Sequence, residues 1–146
     1  MPAGDKQAAT LRALLTGKFD LHKEMLRDIV TDDEKRGYLD LVMAAFIKMV
    51  GITFDNEDDV TAAVVEWVGK IRSESDFAAE AFDPVLCEKV ILFMLDKTEG
   101  EGLTGRQLRD TELLLLPALV HDQGLNEDEI EQLLSTSLKL ANDDRD

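Results

Sequence analysis

Apolar residues return every three or four positions along almost the whole chain, and that period belongs to helices burying one face. Leu11, Leu14 and Leu15 open the series, followed by Leu21, Met25, Leu26 and Ile29. Leu39, Val42, Met43, Phe46, Ile47 and Val50 form a third stripe, and Val60, Val64, Trp67, Val68 and Ile71 a fourth. No segment alternates as a half-buried strand does. The expected fold is therefore all-α, a compact bundle of about six to eight helices.

Stop and start signals divide the series. Helices are expected over about Lys6–Leu15, ending near Gly17, and over Leu21–Val30. Thr31 to Glu34 reads as a capping box, the threonine oxygen accepting a free backbone N–H while the glutamate reaches back. It opens a long helix to Val50, before Gly51. Asn56 is the expected N-cap of a helix over Glu57–Arg72, whose acidic first turn suits the positive end of the helix dipole. Ser75–Phe82 is a short helical turn, and Asp83-Pro84 starts a helix to about Lys97, proline being harmless at a first helical position. Thr104 to Gln107 is a second capping box, opening a helix through Val120 that Pro117 should kink. After Gly124, Asn126 caps a last helix to about Leu140. Residues 1–141 form one domain, as befits a chain of this length, and 142–146 a polar frayed tail.

A shift of 70 residues lays Asn56-Glu57-Asp58-Asp59-Val60 over Asn126-Glu127-Asp128-Glu129-Ile130. An apolar helix precedes each copy. The apolar positions that follow also match, Val60, Val64 and Val68 against Ile130, Leu134 and Leu138. An internal duplication of a helix–acidic turn–helix unit, arranged as a pseudo-two-fold bundle, is the expectation.

The segment from Asp122 to Glu129, following an apolar helix, resembles the acidic turn of the TerB-like tellurite-resistance helical domains. Asp122 and Glu129 keep that family's seven-residue spacing. Gly124 stands one place late, with Gln123 in the usual glycine position. In the first copy Ile52 and Thr53 replace Asp-Gly, and Asp59 alone survives, at the glutamate position. The resemblance spans about residues 38–141 in helix order. It implies a bundle of about seven helices, divalent-cation binding through acidic side chains, and a scaffolding role in stress resistance.

Charge narrows the partners. The chain carries 16 Lys and Arg against 31 Asp and Glu, a formal charge of −15. Residues 1–73 hold 10 basic and 13 acidic side chains, a net of −3, and residues 74–146 hold 6 and 18, a net of −12. Such a surface repels phosphate backbones and anionic bilayers, which excludes nucleic-acid and membrane binding as expected functions. Leu41–Ile47 and Leu113–Val120, the longest apolar runs, are too short to span a bilayer. The start, Met1 to Asp5, lacks the basic and apolar regions of a secretory signal. Cys87 is the only cysteine and lies in an apolar run, so a buried thiol in a reducing cytoplasm is expected.

Few motifs carry chemistry. Asp55–Glu66 has the length of an EF-hand loop, but Val60 stands where the sharp turn needs glycine. At the second turn Asp122, Asn126 and Glu129, with His121 beside them, are candidate ligands of a divalent cation, zinc or manganese rather than calcium. His22 and His121 are the only imidazoles, and no nucleophile motif or phosphate loop accompanies them. Leu11 to Leu15 fits a Leu-x-x-Leu-Leu docking pattern that any core-facing helix also shows. The expected function is a non-enzymatic acidic interaction domain, docking a basic protein partner through Asp59, Glu127 and Asp128. The alternatives are an immunity or antitoxin protein neutralising a basic toxin and, more remotely, a metal-assisted hydrolase built on His121, Asp122 and Glu129.

Overall fold

The structure, a computed structural model, describes residues 3–143 and is helical throughout. Eight helices follow one another: α1 Asp5–Leu15, α2 Phe19–Leu26, α3 Asp32–Phe54, α4 Val60–Arg72, α5 Asp76–Ala81, α6 Pro84–Met94, α7 Gly105–Asp122 and α8 Glu127–Asp143. Among the described residues there is no strand. α3 is the central element. α7 and α8 pack along it, α1 crosses all three, and α4 packs against α6. The inner side chains are mostly aliphatic, with Leu41, Phe46, Met49, Ile91, Leu115, Leu119 and Leu134 all but fully buried.

The caps explain the boundaries. Both expected capping boxes are made: Thr31 Oγ1 accepts from Glu34 N at 3.1 Å, and Thr104 Oγ1 from Gln107 N at 3.1 Å. Ser75 and Asp83 cap α5 and α6 in the same way. α7 ends in a Schellman motif. Gly124 N donates to His121 O and Leu125 N to Val120 O, with Gly124 in the left-handed region at φ 64°, where a β-carbon would be strained. Pro117 sits inside α7 without ending it.

Several expectations need correction. α4 begins at Val60 under an Asp59 cap, so Asn56 caps nothing and residues 57–59 are not helical. α6 stops at Met94, because Leu95 leaves helical geometry and Asp96 turns to φ 61°. α8 runs past Leu140 through Asp143, and Asn142 Nδ2 donates to Ala3 O at 3.0 Å, so Asn142 and Asp143, expected to fray, are helical. Residues 144–146 of that expected tail lie outside the described residues. Leu21, Met43 and Ile47, expected inward, are 43%, 38% and 38% exposed. Taken over its full length, α3 is long and apolar enough to cross a bilayer, unlike the short run read from it. Its most apolar window is 56% buried against neighbouring helices, which accounts for that composition.

Burial repeats along the chain. Each buried residue of α7 (Thr111, Glu112, Leu115, Leu116, Leu119, Val120) lies 70 positions after a buried residue of α3. Val64, Trp67 and Ile71 of α4 stand in the same relation to Leu134, Ser137 and Ala141 of α8. Packing does not repeat: α8 lies along α3, whereas α4 turns to α6.

Candidate functional site

The two acidic turns join α3 to α4 and α7 to α8, and their side chains have different employments. At the second turn, Asn126 Oδ1 accepts from Glu129 N at 2.8 Å while Glu129 Oε1 accepts from Asn126 N at 3.0 Å. The two candidate ligands form a reciprocal capping box. Asp122 faces away from them. Its Oδ2 accepts from Trp67 Nε1 at 2.9 Å and its Oδ1 from Lys70 Nζ at 2.7 Å. Burial alone would raise the Asp122 pKa, but the bonds from Lys70 and Trp67 and the charge of Lys70 outweigh it and hold the carboxylate below its ordinary range. His121 is exposed. Among the described residues no three His, Cys, Asp or Glu side chains are grouped as a metal ion requires. The proposed set of His121, Asp122, Asn126 and Glu129 is thus divided between a helix cap and an ion pair with α4.

The three predicted partner-binding residues separate as well. Asp59 caps α4, accepting from Ala62 N at 3.1 Å, and lines a groove of about 610 Å³ with Glu57, Asp58, Glu66, Lys70 and Asp122. Phe54 and Trp67 form its apolar wall, their rings edge to face at 6.0 Å. Five carboxylates against one ammonium give this groove a formal charge of −4. The ammonium, Lys70, is already paired, and Asp122 raises its pKa. Glu127 and Asp128 lie instead along a second groove of about 500 Å³, between α1, α2 and the start of α8. There Arg12 holds Glu131 by two hydrogen bonds of 2.5 and 2.8 Å, which lowers the Glu131 pKa.

Sequence reasoning missed Trp67 as the hydrogen-bonding partner of Asp122, treating it only as core. It also passed over Glu112, which is 1% exposed with Oε2 unbonded among the described residues. Burial pushes its pKa up to about 7 against the pull of Arg109. The period that marks Leu108, Leu115 and Leu119 as inward includes Glu112, so the signal was present. Cys87 is buried as expected, and burial raises its thiol pKa to about 12. His22, the other imidazole, is buried at 2.6 Å from the Tyr38 hydroxyl, and burial lowers its pKa.

No family model, curated protein or solved structure matches the chain.

Proposed function

We propose that the chain is a non-enzymatic acidic interaction domain of the cytoplasm that docks a basic protein partner at the first acidic turn. One observation carries this reading. Glu57, Asp58, Asp59 and Glu66 are all exposed around one groove whose single ammonium is already engaged by Asp122. Exposed carboxylates on a chain of charge −15 steer a cationic partner toward them. An immunity or antitoxin role is the case in which the basic partner is a toxin.

Calorimetric titration with a lysine- and arginine-rich peptide, beside an acidic peptide of equal length, tests the reading. The basic peptide should bind, and added salt should weaken it. The triple variant E57Q/D58N/E66Q should lose about tenfold in affinity, roughly 1.4 kcal/mol. E127Q/D128N, altering the other groove, should leave binding unchanged. Equal binding of both peptides, or indifference to the triple variant, would overturn the proposal.

A further inference from the structure

α2 is only lightly embedded in the bundle. Of its eight residues only His22 is buried, against Tyr38 of α3, and its main packing partner is α1. Leu26 packs against the core, but Phe19 is 55% and Leu21 43% exposed, and Val30 just beyond the helix is 65% exposed. Leu21 and Met25 line the second groove together with Ala9, Ala13 and Ile130. Lys18 stands on this groove with Glu127 and Asp128, so its lining bears both signs of charge. Residues 5–30, which supply α1 and α2, hold five basic and four acidic side chains, a net of +1. The rest of the chain therefore carries −16, against −15 for the whole.

We infer that this face binds a second copy of the same chain across a two-fold axis. Leu21 and Met25 of each copy fill the groove of the other, and Lys18 of each meets Glu127 and Asp128 of the other. A two-fold interface presents the same patch twice, so the patch must complement itself. A face with a cation beside carboxylates and an apolar floor does so. A wholly acidic face sets like charges against each other, at a cost of several kcal/mol per close pair. The α1–α2 face is where two copies of a chain with this charge meet with the least repulsion. A stable dimer covers about 800 Å² on each partner, close to a tenth of the 8595 Å² this chain exposes. A basic partner, by contrast, meets a weaker field here, where the groove lining sums to −1, than at the first acidic turn, where it sums to −4.

Sedimentation equilibrium of the chain alone, from micromolar to millimolar protein, tests the inference without involving the basic partner. The expected result is a reversible monomer–dimer equilibrium between 16.3 kDa and twice that mass. L21E replaces an exposed side chain, so at protein concentrations dilute enough for both chains to be monomeric its melting curve should match the native one, while association falls at least tenfold. K18E should weaken association similarly, and K18E/E127K/D128K, which exchanges the two charges across the axis, should recover it. F77E, changing another exposed apolar residue on α5, should have no effect. A chain that remains monomeric at millimolar concentration would overturn the inference. So would a dimer insensitive to L21E and K18E, or one dissociated by F77E.

Discussion

The two acidic turns share their letters and differ in construction. In the second, Gly124 takes the left-handed conformation, α7 ends at Asp122, and Asn126 with Glu129 starts α8 at once. In the first, the position matching Gly124 is Phe54, a core residue 2% exposed, so α3 runs two residues further than the shift predicts. Asp59 stands where the second turn has Glu129. It is one methylene shorter, and instead of reaching back to Asn56 it becomes the cap itself, three residues late. The inward faces still keep the 70-residue register. Burial is thus preserved where local turn chemistry is not, because packing energy outweighs a cap of about 1 kcal/mol.

The packed helices differ in the same way. α8 meets α3 through small residues, Ala141 lying beside Ala44 and Ser137 fully buried with its Oγ unbonded among the described residues. At the corresponding positions α4 carries Ile71 and Trp67. Small side chains let two helix axes approach, and large ones hold them apart. Trp67 spans the gap this leaves, touching Phe54 edge to face and donating to Asp122 at the end of α7. The most damaging way to break the comparison is W67A, which should cost about 3–5 kcal/mol of unfolding free energy in urea. If α4 were as closely seated as α8, the loss would be nearer that of a small side chain.

Glu112 gives the next largest effect. Its counterpart in α3 is Val42, equally buried at 1% exposure. Burial raises the Glu112 pKa from 4.5 to about 7, so the folded state holds the proton more tightly than the unfolded state does. Below pH 4.5 both states are protonated and nothing is lost. As pH rises from 4.5 toward 7 the unfolded state ionises first, and stability falls by about 3 kcal/mol, levelling off above 7. E112Q should remove that slope, matching the native chain at pH 4 and gaining up to about 3 kcal/mol at pH 8. Denaturant midpoints at the two pH values decide it, and an unchanged slope in E112Q would assign the dependence to another group.

Helix order, the two threonine capping boxes and the proline-started α6 were legible because each depends on a few adjacent residues. The groove around Asp59 was not, since it needs the end of α7 brought beside α4, and no local pattern encodes the bond between Trp67 and Asp122. The metal expectation failed to gain support for a related reason: Asp122, Asn126 and Glu129 are close in sequence, but two of them form the cap and the third is turned to α4. Leu21, Met43 and Ile47 fit the helical period and are nevertheless exposed. A period gives the apolar side of a helix, and only the neighbours determine how much of that side is covered.

The smallest effect tests whether one methylene sets the start of α4. D59A removes the cap bond to Ala62 N and should cost about 1 kcal/mol. Glutamate is a poor N-cap, so D59E would cost as much if the helix could start only at Val60. If Asn56 can take over with the introduced carboxylate reaching back, as at Asn126 and Glu129, D59E instead loses less than half of that amount. The regained turn would place the Val60 and Thr61 amides in helical bonds, and their hydrogen exchange should slow. D59E with the stability of D59A and no new protection would assign the late start to the Phe54 side of the turn, where α3 overruns and leaves too short a connection for an earlier cap.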